Sequence, residues 1–315
     1  MKRPIKPSPG GPEPLRVRLF ASLFGVLLGI SLLKFGNTCV MAKYFAWPTN
    51  IYEWAIDAWP VVLGYWLLGL VALVGMSAAK PKITGPRWLI WLPLVWFLWQ
   101  LVAATHTLDS GLTRTTLAHF TTCVACFYLG LFALSHVRDL NRFWIGILGA
   151  FIIVLAVGLR QHFGGLEESR RYFFAYIYPG LKEVPPELLK KMNSSRIFST
   201  LFYPNTLAGA LLLLLPMVLV LIGKDQRLTA VLRFSLVATI SAAAMACLFW
   251  SGSKGGWLLM LLSGLVALLR MKFERKWKVV LIAVILVGGL AGFALRYSPY
   301  FEKGATSLGA RFDYW

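Results

Sequence analysis

Charge is scarce in this chain, and negative charge is scarcest. Of 315 residues 14% are charged, and 13 Asp or Glu stand against 32 Lys or Arg. Soluble domains carry about 25% charged residues. With 58% hydrophobic residues and a mean hydropathy of +0.67, a water-soluble globule is excluded. Cysteine is scarce too: Cys39, Cys123, Cys126 and Cys247 are all there are. Cys123 and Cys126 form one CxxC inside an apolar run. No second pair completes a zinc site, so the pair reads as packing. The one glycine-rich segment with a lysine, SGSKGG, lacks the Gly-x-x-x-x-Gly-Lys-Ser/Thr spacing of a P-loop. No cofactor and no metal are expected. There is no detectable internal repeat and no soluble domain.

What fills the chain is apolar runs. Stretches of 15 to 21 residues without a charge recur along its length, the pattern of an all-α, polytopic transmembrane protein. Nine spans are expected, at about 19–36, 58–77, 88–105, 115–135, 143–159, 206–223, 234–251, 255–269 and 279–295. Residues 1–18 are basic and rich in Pro and Gly, and read as a disordered tail. The run after them resembles a signal peptide in outline. The basic region is long and no small-x-small cleavage site follows, so it is taken as a retained first span. Residues 19–295 then form a single transmembrane domain with one long loop at 160–205, and 296–315 begin a further loop.

The net charge of +19 raises nucleic acid as a partner. Its distribution points to membrane loops instead, and no nucleic-acid partner is expected. If the N-terminus is cytoplasmic, the inner segments are 1–18, 78–87, 136–142, 224–233 and 270–278. They hold 18 of the 32 Lys and Arg in about 55 residues. The positive-inside rule therefore assigns the N-terminus to the cytoplasm and the C-terminus to the outside. Trp59, Trp88 and Trp144 lie near span ends, as an interfacial belt requires.

On that topology the sixth and eighth spans both begin at the outer face. The sixth is preceded by "SSRIFSTLFYPNTLAGALLLLLP" (194–216), in which Asn205 is suited to cap the helix and Arg196 to fold back over its start. The eighth opens with "SGSKGGW", where Ser253 can cap, Lys254 adds a cation and the glycines allow close backbone approach. Helix N-termini attract anions, and a guanidinium suits phosphate oxygens. Together these four residues are the expected diphosphate site. Taken one at a time, each segment has a plainer alternative: Arg196 can snorkel to lipid headgroups, and SGSKGG can be a turn whose glycines serve packing.

The two segments, in this order, resemble the O-antigen ligase and polymerase superfamily of bacterial inner membranes. Members show an Arg, a short aromatic or glycine stretch, Pro-Asn, a small residue and a leucine-rich helix; here "RIFSTLFYPNTLAGALLLLLP". They then show Ser-Arg-Gly opening another helix, here "SGSKGGW", and an Arg followed by a Trp before a large periplasmic loop, here Arg311 and Trp315 in "ARFDYW". The pattern covers roughly the last 120 residues. The resemblance implies transfer of a glycan from undecaprenyl diphosphate to a sugar hydroxyl at the periplasmic face. The acceptor is lipid A–core in a ligase or a growing chain in a polymerase. Arg196 matches the family's first phosphate-binding arginine. Lys254 stands where a second arginine is usual and lacks its planar fork.

Members continue into a periplasmic loop carrying a histidine considered the base. No histidine here matches it, so the catalytic base is unassigned, and the chain reads as the N-terminal part of such an enzyme, without transferase activity alone. His106 and His162 are the outer-side alternatives; His119 lies in a span and His136 on the inner side. Arg170, Arg171 and Arg311 are further possible substrate contacts. The aromatic and basic stretch 168–193 reads as an interfacial segment more readily than as a sugar-stacking one, and 185–191 as a short helix started by proline. A transporter is the competing class, since related sequences are sometimes described as bicarbonate carriers. A transport path calls for polar residues at mid-membrane depth, and Gln100, His119 and scattered Ser and Thr are the best available. An inactive remnant is the third reading.

Overall fold

The computed structural model describes residues 13–36, 47–80, 86–180, 189, 193–270 and 274–302. Among them there is no strand, and eleven α-helices carry the chain: α1 Leu15–Lys34, α2 Ile51–Ile56, α3 Val61–Ala78, α4 Trp88–Ala104, α5 Ser110–Phe132, α6 Asn141–Arg160, α7 Leu166–Tyr172, α8 Pro204–Lys224, α9 Ala230–Ser251, α10 Lys254–Arg270 and α11 Arg275–Glu302. Each expected span coincides with one of them. Among the described residues seven helical stretches, against nine expected spans, are long and apolar enough to cross a membrane, and Trp88–Ala104 is a shorter apolar helix. The protein is therefore a multi-pass helical membrane protein.

Burial supports lipid as the surrounding solvent. None of the α11 window and 6% of the α5 window is buried by protein. Trp88, Trp91, Trp96 and Trp99 of α4 are all exposed. Such apolar helices would aggregate in water and are at home in hydrocarbon.

The helices form two compact units, Met1–Ala156 with Thr200–Phe202, and Val157–Ser199 with Tyr203–Trp315. In the first, the contact between α1 and α6 is backbone on backbone. A Cβ on Gly25 would overlap the Phe143 carbonyl, and one on Gly146 would lie 2.7 Å from the Gly25 carbonyl carbon. In lipid there is little hydrophobic drive between helices, so such close approach is what holds a pair together. Phe20 and Phe24 stack at 5.5 Å beside this contact, and Phe24 meets Phe143 at 5.8 Å. Leu68, Val71 and Gly75 form the buried stripe of α3. Thr200 Oγ1 donates to Leu32 O at 2.7 Å, joining residues 200–202 to the end of α1.

In the second unit, α8 buries Leu207, Ala208, Leu211, Val218 and Ile222, and α9 buries Ile240, Ala244, Cys247, Leu248 and Ser251. These spacings of three, four and seven make one helical stripe on each. Gly256 of α10 fits between Ala208 and Leu248, where a Cβ would come within 2.8 Å of the Ala208 methyl.

Helix ends shift by several residues, and three of the differences alter the expected tail and loops. Helix α1 begins at Leu15, inside the segment read as a tail, because residues 15–18 carry long side chains compatible with a helix. Helix α11 runs on to Glu302, past the expected end at 295. The long loop expected from 160 begins as helix: α6 passes through a π-turn at Gln161–Gly165, bends at Gly164 (φ 125°), and continues as α7. The proposed short helix at 185–191 lies almost wholly outside the described residues.

Candidate functional site

The second unit gathers three helix ends in one place: the start of α8, the end of α9 and the start of α10. Arg196 ties two of them together. Its Nε donates to the carbonyl of Ser251, the last residue of α9, at 2.7 Å, and its Nη2 donates to Asn205 Oδ1 in the first turn of α8 at 3.1 Å. The extended segment bearing it is held to α9 by Ile197 N donating to Trp250 O at 3.3 Å. Part of Arg196's role is thus a C-terminal cap: the final carbonyls of a helix lack donors and carry partial negative charge. Among the described residues its Nη1 has no hydrogen-bond partner.

The turn between α9 and α10 is shaped for this contact. Gly252 takes the left-handed conformation (φ 59°, ψ 26°), the usual way to end a helix. A Cβ there would stand 3.2 Å from Arg196 Nε, so glycine serves both the backbone and the guanidinium. Ser253 caps α10 as expected, its Oγ accepting from Gly256 N at 3.2 Å. It is buried, as is Ser251. Asn205 is not the cap of α8. The helix begins at Pro204, with Tyr203 in the cap position and no side-chain cap. Proline suits the first helical position because its missing N–H would have no partner there. The Asn205 amide is thereby left to receive Arg196.

Lys254 lies with Nζ 5.7 Å from the centroid of the Tyr297 ring, a cation–π contact. Tyr297, on α11, is buried and also acts on Arg196. Burial pushes the Arg196 pKa down, and Tyr297 pulls it partly back. A guanidinium shifted downward from so high a value keeps its charge at neutral pH.

Sequence reasoning missed Gln161, Trp250 and Tyr297. Gln161 holds the extended segment ahead of α8: its Oε1 accepts from Phe198 N at 3.0 Å and Ser199 N at 2.7 Å, and its Nε2 donates to Ser199 O at 3.1 Å. Ser199 is a non-glycine residue at φ 54°, a conformation costing about 1–2 kcal/mol that these three bonds offset. His162, next to the clamp, stacks flat on Trp250 with centroids 3.6 Å apart. No spacing rule would reveal contacts between residues separated by 37 to 55 positions.

The remaining candidates are placed as follows. Arg170 is paired with Glu167 at 2.8 Å and reaches Ser194 O at 3.4 Å, two residues from Arg196. Arg171 is exposed and lies 3.7 Å from the same carboxylate. Among the described residues its only ion pair is that one. Arg311 lies outside the described residues. His106 is exposed, and His119 lies within α5, 3.9 Å from Cys123 Sγ. Among the described residues no group of three or more His, Cys, Asp or Glu is placed to hold a metal ion.

Comparison with protein-family models, with curated proteins and with solved structures gave no match.

Proposed function

We propose that the chain binds a lipid-linked diphosphate and acts as, or as part of, an O-antigen ligase-like glycosyltransferase of the bacterial inner membrane. The donor is a glycan on undecaprenyl diphosphate, and the acceptor a sugar hydroxyl on lipid A–core or on a growing chain. On this reading nine helices cross the membrane, the N-terminus is cytoplasmic, and the Arg196 end faces the periplasm. The observation that carries it is the Arg196 bridge: one half-buried guanidinium spans the start of α8 and the end of α9, and its Nη1 has no partner among the described residues. Planar, fixed donors beside helix N-termini suit phosphate.

The chemistry follows from that geometry. The acceptor oxygen attacks the anomeric carbon and its proton passes to a base. The bond from carbon to the diphosphate oxygen breaks. The charge gained by the departing diphosphate is stabilised by Arg196, with Lys254 as the second cation. Arg170, whose charge is shared with Glu167, is a secondary contact. His162 is one stacking partner removed from the extended segment that holds Arg196, and no base is assigned. Transport is disfavoured because charge lies at the rims of the helices rather than at mid-depth.

Binding of undecaprenyl diphosphate to the full chain, read by native mass spectrometry in detergent, tests the reading. Arg196→Ala should weaken it about tenfold or more, and Arg196→Lys should restore part of the loss. Equal binding by wild type and a folded Arg196→Ala variant would sink the proposal.

A further inference from the structure

The first unit holds a second concentration of positive charge that the glycosyl-transfer reading does not use. A cavity of about 250 Å³ lies where the start of α1, the end of α3 and the segment after α5 meet. Its wall carries Arg16, Lys80 and Arg138 against one carboxylate, Glu13, together with Ser77 and His136. Three cations around one acid leave an excess of positive charge with space between them.

Further observations bear on this region. His136, in the cavity wall, has its Nε2 buried without a hydrogen-bond partner. Ser135 Oγ donates to Leu131 O at 2.6 Å and so accepts from His136 Nδ1 at 3.2 Å, which makes Nε2 the acceptor nitrogen of the neutral ring. A buried polar atom left unsatisfied is costly, so native structures give it a partner. The first turn of α1 has no side-chain cap and no acidic residue. Val17 N and Arg18 N donate to Pro14 O, which leaves the N–H groups of Leu15 and Arg16 to face an anion. The end of α3 contributes opposite partial charge at the same place, and Lys80, two residues beyond it, stands against that. Glu13 already shows how an anion sits there: its Oε1 accepts from Arg138 N at 2.5 Å.

We propose that this cavity is a binding site for a phosphate-bearing anion, either the headgroup of an anionic phospholipid or free phosphate. The volume fits a headgroup rather than a drug-sized ligand, whose pockets start at about 300 Å³. Apolar helix surface begins directly beyond Ser77, so a phospholipid can place its phosphate among the arginines and its chains along α3. The site is independent of the Arg196 node and stands or falls separately.

The test uses the full chain in detergent and native mass spectrometry. The probes are dioleoylphosphatidylglycerol, dioleoylphosphatidylcholine as the zwitterionic comparison, and inorganic phosphate as competitor. Saturable binding of phosphatidylglycerol over phosphatidylcholine identifies the headgroup as the source. Phosphate binding without lipid preference identifies the free anion. In either case the paired substitutions Arg16→Ala and Arg138→Ala should weaken binding about tenfold, while Lys276→Ala, in the other unit, should not. Glu13→Gln should tighten binding about twofold or more by removing the competing carboxylate, a gain that misfolding cannot produce. The proposal is overturned if neither probe shows saturable binding, if the paired variant binds as wild type, or if Glu13→Gln weakens binding.

Discussion

The two basic regions of this molecule treat their cations in opposite ways. Arg196 is half-buried, and two of its three nitrogens are committed to the ends of α9 and α8. Arg16, Lys80 and Arg138 are exposed and ring a cavity. A cation that holds the fold together is preorganised and costly to lose. Cations that surround empty space are held apart by the fold and contribute little to it. The first arrangement suits recognition of a group whose charge rises during reaction, because donors fixed beforehand need no reorganisation. The second suits a resident anion that completes the site when it arrives.

The largest expected effect that would break this contrast is on stability. Arg196→Ala leaves the buried Ser251 carbonyl without its donor, while the exposed Asn205 amide turns to water, which should cost about 1–3 kcal/mol. In thermal unfolding of the detergent-solubilised chain that is a fall of roughly 3–8 °C. Arg138→Ala should leave the midpoint unchanged in the absence of anion. Equal falls in both would erase the distinction. Gly252→Ala comes next. It forces a left-handed backbone on a residue with a side chain and presses a methyl on Arg196 Nε, for about 1–2 kcal/mol. Its diphosphate affinity should drop in parallel, and a drop in stability alone would show that the turn serves folding without positioning the guanidinium. The smallest effect is on salt dependence. Raising ionic strength to about 1 M shortens the screening length to about 3 Å, so binding at the exposed cavity should weaken several-fold more than binding at the desolvated Arg196. Titration of each probe at low and high salt checks this, and equal slopes would remove the difference in burial as its cause.

Much of the architecture was legible because lipid makes long charge-free runs obligatory for crossing helices. The runs at 206–223 and 234–251 became α8 and α9 with shifts of at most four residues. The site was legible in part. Asn205, Ser253 and Lys254 come to one cluster of helix ends because each sits at the end of an apolar run, and Arg196 joins them through its bonds to Ser251 O and Asn205 Oδ1. The role of Asn205 was misread. Capping preference favours Asn, but Pro204 claimed the first helical position and the amide turned to Arg196. Gln161 was invisible for a different reason. It fell at the start of the segment read as a loop, and its function depends on an extended segment 37 residues away and on a strained Ser199 that no local pattern announces. Glu167 was overlooked as the partner that claims Arg170 and Arg171, since salt bridges within one short helix compete directly with any ligand for the same nitrogens.

The contact of Gly25 with Phe143 and Gly146 has a consequence for biosynthesis. The glycine face of α1 finds its partner about 120 residues later in the chain, so at ordinary translation rates of about 5–20 residues per second the first helix waits on the order of 10 s in the bilayer before α6 emerges. During that interval the notch is filled by lipid or by the insertion machinery. Assembly of the first unit is therefore paced by the ribosome rather than by the speed at which two helices find each other.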